Sequence, residues 1–170
     1  MVALQWGMRL IIYGNPAPQG SKRFVGVNKA GRGVIIDANP RTRTWRADVI
    51  DAVDRYMENH GSTFEQFTCA VQVHMVFSLL RPKTVTRKKR PHPSAAPDLG
   101  KLARSTEDAL TAARVWADDA LVVEYTRLAK VYCDEDPDSL PRPGCLVLIA
   151  PAPVSIELGP RRALLQLEAS

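Results

Sequence analysis

Residues 71–79 read Val-Gln-Val-His-Met-Val-Phe-Ser-Leu. Val71, Val73, Met75, Phe77 and Leu79 alternate with Gln72, His74 and Ser78, and a period of two marks a strand with one face on a core. The segment that follows carries Pro82, Pro91, Pro93 and Pro97. Proline lacks an N–H and restricts the residue before it, so residues 81–97 are expected to form an extended loop. Leu99–Ala113 then places Leu102, Ala103, Thr106 and Leu110 on one side, as a helix would. Leu121–Tyr132 reads as a long strand. The centre of the chain is therefore strand, loop, helix, strand.

Working outward, Met8–Tyr13 is a short apolar strand ended by Gly14, and Asn15–Ser21 (NPAPQGS) is a loop. Phe24–Val27 and Val34–Asp37 flank Gly31 and Gly33 and suggest a hairpin. Asn39 is placed to cap a helix with Pro40 in its first turn. Trp45, Val49, Val53, Tyr56 and Met57 carry that helix from about 40 to 59, where His60-Gly61 ends it. On the C-terminal side, Asp134–Asp138 reads as a solvated acidic turn, Cys145–Ala150 as a final strand, and residues from about 155 to 170 as a tail. The expected fold is α/β in the broad sense (α+β): a small mixed β-sheet with two main helices in a single domain, in the order βββαβαβ with one more strand at the end.

A chain of 170 residues suits one hydrophobic core. Its net charge of +5 is local. Arg81, Lys83, Arg87, Lys88, Lys89 and Arg90 lie together with no acid among residues 81–92, and subtracting those six charges from +5 leaves −1 for the remainder. A near-neutral body with one basic segment fits either a polyanion partner or a solvated loop. Cys69, Cys133 and Cys145 lack metal-ligand or disulfide spacing and are expected to pack as small apolar residues. His60, His74 and His92 form no helical metal pair. No apolar run is long enough to span a membrane and no signal-peptide pattern opens the chain, so a cytoplasmic location is the expectation.

The residues that suggest chemistry are acids at element boundaries. Asp98 stands at the entrance to the second helix, and Asp118 and Asp119 stand beyond its far end, where the chain turns into a strand. Mg²⁺ takes oxygen ligands, usually carboxylates from separate elements. The same residues also suit a helix N-cap at Asp98 and an ordinary turn at Asp118-Asp119. Lys101 and Arg104, three apart, share a helix face near Asp98.

The stretch PDLGKLARSTEDAL followed by VWADDALVVE resembles the signature of the RusA-type Holliday-junction resolvases, a family typical of phages and prophages. In that family a Pro-Asp-x-Asp motif opens a helix, a basic residue lies one turn in, an Asp-Ala-Leu follows, and an Asp-Asp pair comes after the helix. Asp98 matches the first aspartate, Arg104 the basic residue, Asp108-Ala109-Leu110 the triplet, and Asp118-Asp119 the pair, with no gap. The early PAPQGSKRF and the Trp-bearing first helix are similar to phage-type members. The second motif aspartate falls on Gly100, which has no carboxylate. Asp108 lies eight residues beyond Gly100, just over two helical turns, which makes it a poor replacement, and Asp118 is a better one. A partner subunit is a third source.

The resemblance implies a homodimer that binds branched DNA, such as four-way junctions, and hydrolyses phosphodiesters with Mg²⁺, for which Mn²⁺ can substitute. Asp98, Arg104 and Asp119 would be catalytic, and Asp98, Asp119 and Asp118 would hold metal. Lys22, Arg23, Arg81, Lys83, Arg87, Lys88, Lys89, Arg90, Lys101 and Arg104 would contact DNA. Two other readings stay open: a catalytically weakened binder of structured DNA, motivated by Gly100, and a nuclease that prefers forks or flaps.

Overall fold

The computed structural model describes residues 6–20, 22–28, 30–37, 40–61 and 64–153. Asn39, expected to cap the first helix, and the tail beyond 153 lie outside them, as do the side chains of Lys22 and Arg23. The elements run β1 (Met8–Tyr13), β2 (Lys22–Val27), β3 (Gly33–Asp37), α1 (Pro40–His60), β4 (Val71–Leu79), α2 (Leu99–Ala112), a 3₁₀ turn (Asp119–Leu121), β5 (Val122–Tyr132) and β6 (Gly144–Pro151). This is the mixed sheet with two helices that the patterning predicts, and the boundaries fall within two residues of expectation. Gly61 has φ +58, the left-handed conformation that glycine adopts without penalty just past a helix end.

The strand order is less direct than the chain order. β2 and β3 pair only with each other, and the four-stranded sheet runs β1-β6-β4-β5. The last strand thus inserts between the first and the central one, antiparallel to both. β4 and β5 are parallel, Val71 opposite Val122 and Leu79 opposite Tyr132. Parallel neighbours need a long crossover, and α2 lies within it.

The core forms where both helices meet one face of this sheet. Val71, Val73, Met75 and Phe77 of β4 pack with Leu10 and Ile12 of β1, Val147 and Ile149 of β6, and Trp45, Val49, Leu102 and Leu110 of the helices. The reverse face of β4 is also covered: Gln72, Val76 and Ser78 are buried. Ser78 Oγ accepts a 2.7 Å hydrogen bond from the Leu140 N–H, so the segment after β5 closes over that side. The cysteine expectation holds only for Cys145. Cys69, in the loop before β4, is exposed and Cys133 is half-buried.

Gly144 is where β6 enters beside β1. A Cβ there would lie 2.1 Å from the Ile12 carbonyl oxygen and 2.9 Å from Leu140 Cδ1. Backbone cannot yield as a flexible side chain can. Gly144→Ala is expected to lower the free energy of unfolding by roughly 1–3 kcal/mol, the usual penalty of overpacking, read as a lower denaturation midpoint at unchanged slope.

Candidate active site

The N-terminal turns of α2 line an open cleft of about 540 Å³, whose wall includes Asp98, Gly100, Lys101, Arg104, Glu107, Tyr125 and Gln19. Asp98 is indeed the N-cap: its backbone is extended (φ −68°, ψ 133°) and Oδ1 accepts from the Lys101 N–H at 3.2 Å. Capping uses one carboxylate oxygen, so it does not exclude a second role for the other. Lys130 of β5 holds the approach to this cap, its Nζ donating to the carbonyls of Ala95 and Pro97 at 2.7 Å each. Lys101 and Arg104 are exposed, and both face the cleft. Gly100 opens onto space: an added Cβ would meet only Asp98 Oδ1, at an ordinary 3.6 Å.

Hydrogen bonds fix α2 against its surroundings. Trp45 Nε1 donates to Thr106 Oγ1 at 3.0 Å, joining the two helices inside the core. Asp108 accepts from Gln19 Nε2 at 2.9 Å and pairs with Arg46. The Gln19 N–H donates to the Lys101 carbonyl at 2.9 Å. The NPAPQGS loop is thereby strapped along the start of α2, next to β2 with Lys22 and Arg23. Asp108 is turned to the loop and α1, in keeping with its poor prospects as a substitute ligand.

The second acid that lines the cleft is Glu107, which the sequence motifs do not single out. A signal for it exists all the same: it lies seven residues after Gly100 and three after Arg104, on the same helical face. Tyr125 of β5 donates its hydroxyl to Glu107 Oε1. Burial raises the Glu107 carboxyl above the usual range, reinforced by the charges of Asp119 and Asp108, while the tyrosine bond and Arg104 pull the other way. Burial and the carboxylate together push the Tyr125 hydroxyl up as well.

Asp118 and Asp119 begin the 3₁₀ turn at the far end of α2 and are exposed. Asp118 Oδ1 accepts from the Ala120 N–H at 2.8 Å, so it caps that turn. Asp119 lies close enough to Glu107 and Tyr125 to influence both electrostatically, but does not line the cleft. The 14 residues of α2 span about 21 Å. Asp98 stands at the start of that helix, and Asp119 stands on the turn seven residues past its end. Among the described residues no three acids, histidines or cysteines converge on a ready-made cation site.

The basic segment divides into two kinds of residue. Lys83, Arg87, Lys88 and Lys89 are exposed. Arg81 is committed internally: Nε donates to Glu135 Oε1 at 2.8 Å, Nη1 to the Arg90 carbonyl at 2.6 Å, and the guanidinium stacks 3.7 Å from the Tyr132 ring centroid. Arg87 Nε lies 3.3 Å from Glu135 Oε2. The acidic turn, expected to be solvated, is instead the partner of these arginines and of Arg127, which pairs with Asp136 and Asp138. His74 lies 3.3 Å from Asp138 on the same side of the sheet. Glu135, Asp136 and Asp138 are thus engaged by arginines.

Comparison with known families finds a match to the family described as endodeoxyribonuclease RusA, over residues 14–138. The matched span runs from the end of β1 through the cleft to the acidic turn. No curated protein matches the chain. Among the described residues no helix is long and apolar enough to cross a membrane.

The hydrogen bond from Arg127 holds the Asp136 carboxyl below its usual value of 3.8. A carboxyl depressed on folding adds stability that is present above the unfolded value and is lost as pH falls through the lower folded value. Arg127→Gln is expected to destabilise the protein by about 1 kcal/mol near neutral pH, allowing for solvent screening of a partly exposed pair. Its stability should then fall less than that of the unaltered protein between neutral pH and about pH 3, as measured by denaturant unfolding at each pH.

Proposed function

The chain belongs to the RusA family of endodeoxyribonucleases, and from that footing we propose that it hydrolyses phosphodiesters in branched DNA, with Mg²⁺ as the cofactor and the four-way junction as the substrate. The observation that carries this reading is the cleft itself, which sets the Asp98 carboxylate beside the Lys101 and Arg104 cations at the exposed start of α2. A carboxylate among cations suits a site where a metal and a phosphate are held together. The donors are carboxylate oxygens, the ligands a hard divalent cation takes, and Mg²⁺ commonly uses one or two protein carboxylates and completes its shell with water and substrate phosphate. When bound, such an ion would lower the pKa of a coordinated water and offset charge on the phosphate.

The residues have separable tasks in this reading. Asp98 holds metal from the mouth of the cleft. Arg104 offsets the negative charge that grows on the phosphate, and Lys101 grips a neighbouring one. Lys83, Arg87, Lys88 and Lys89, exposed on the loop that leads to Asp98, follow the DNA backbone and add affinity without sequence information. Arg81 shapes that loop, through Glu135 and the Arg90 carbonyl. Asp119, on the turn that follows α2, is the other acid of the signature and helps to hold metal. The active form in this reading is a homodimer, whose two-fold symmetry suits paired cuts in a junction. Asp118 holds the turn that presents Asp119. Recombination, repair or phage DNA processing is the setting that such a substrate implies.

Asp119→Asn is expected to reduce junction cleavage to background while leaving junction affinity in EDTA within about twofold, since the change removes one charge from an exposed turn far from the basic loop. Cleavage at the unaltered rate would take Asp119 out of the reaction. The triple change Lys83→Ala, Lys88→Ala, Lys89→Ala should weaken binding to every DNA shape. It should also reduce the log–log salt slope by roughly 0.9 for each duplex phosphate that the protein no longer neutralises. An unchanged slope would leave the segment as a solvated loop.

A further inference from the structure

Glu107 poses an electrostatic problem. A cleft that admits a polyanion has, along with Asp98, a second carboxylate in its wall, on the face of α2 that also carries Gly100 and Arg104. A bare carboxylate there would repel the phosphate that Lys101 and Arg104 attract. Tyr125 reaches across from β5 to hold Oε1, which leaves Oε2 for another partner. The neighbouring acid, Asp108, is spent on Gln19 and Arg46. Position 100, one turn from Arg104 on the same face, offers no oxygen at all. A cation between carboxylate and phosphate removes the repulsion, and the cleft has volume for a hydrated ion.

We propose that Glu107 is the second carboxylate that this chain directs at the divalent metal of the cleft, in place of an acid at position 100, and that Tyr125 is the residue that positions it. The assignment rests on the metal-dependent reading above and deepens it. Side chains on a helix lean toward its N-terminus, so Glu107 leans along α2 toward the end that carries Asp98, in the wall of the same cleft. The tyrosine bond fixes the rotamer of a long side chain and aims its second oxygen, as the partners of metal-bound carboxylates do. Glu107 and Asp119 also lie near each other, so the turn at the far end of α2 adds to the negative potential that draws a cation to this stretch.

The test is Mn²⁺ binding, followed by the electron paramagnetic resonance signal of the free ion, for the protein alone and for its complex with a four-way junction. Glu107→Gln is expected to weaken Mn²⁺ binding by at least tenfold, and Tyr125→Phe on the order of tenfold, the usual effect of removing a ligand's supporting bond. Both should retain junction affinity in EDTA and the unaltered protein's thermal midpoint within a few degrees. Asp98→Asn separates the role of Glu107 from the metal reading beneath it. If Asp98→Asn loses Mn²⁺ while Glu107→Gln keeps the unaltered affinity, the metal reading stands and the role of Glu107 is overturned. If neither change affects Mn²⁺ binding, both are overturned. If Glu107→Gln proves unstable, Tyr125→Phe decides alone: unaltered Mn²⁺ affinity in a folded Tyr125→Phe protein removes the positioning role and the proposal with it.

Discussion

Two adjacent strands that run the same way cannot be joined by a tight turn, and the parallel pairing of β4 with β5 is the constraint on which the rest of this molecule depends. The chain leaves β4 at Leu79 and must return to the other end of the sheet before starting β5 at Val122. The return journey contains the basic loop and α2. Because α2 runs back across the core face, its start and the loop before it lie toward one end of the sheet, and the Asp118-Asp119 turn lies toward the other. The two acids thus stand before and after α2 within the crossover that strand direction requires.

The orientation of α2 about its own axis matters as much as its position. Leu102, Thr106 and Leu110 face the core, and the Trp45–Thr106 hydrogen bond locks that face inward. Two consecutive acids then diverge: Asp108 turns to the Gln19 loop and Arg46, and Glu107 turns to the cleft and Tyr125. Successive residues on a helix point about 100° apart. One rotational setting therefore decides which acid is structural and which is available for chemistry. The early loop is part of the same device, since Gln19 bonds both the Asp108 side chain and the Lys101 backbone.

Charge is partitioned by side-chain type. Arg81 and Arg127 meet the acidic turn with planar, forked hydrogen bonds, a geometry that lysine cannot supply. The lysines of the loop, with no such fork, remain at the surface. A segment that is uniformly basic in sequence thus contains a structural arginine that braces the loop against Tyr132 and Glu135, and exposed cations that stay available to a polyanion. The acidic turn serves the loop's shape, and through it the approach to Asp98.

Much of this was decided by the sequence alone. The alternation along 71–79, the proline-rich loop and the apolar face of 99–113 specify their elements because hydrophobic period and proline geometry are local properties. The run from Pro97 to Asp119, with its acids at the element boundaries, is enough to bring the family into view. Tertiary structure decided what depends on pairing between distant segments. No local signal placed β6 between β1 and β4, made β4 and β5 parallel, buried both faces of β4, or matched Arg81 and Arg127 with the acidic turn. Glu107 belongs to the same class. Its place on the Gly100–Arg104 face can be read from helical spacing, but only the arrival of Tyr125 from a neighbouring strand distinguishes it from an ordinary surface glutamate. Hydrophobic pattern sets what each segment becomes, whereas the partner of each polar group is set by which segments the packed core brings side by side.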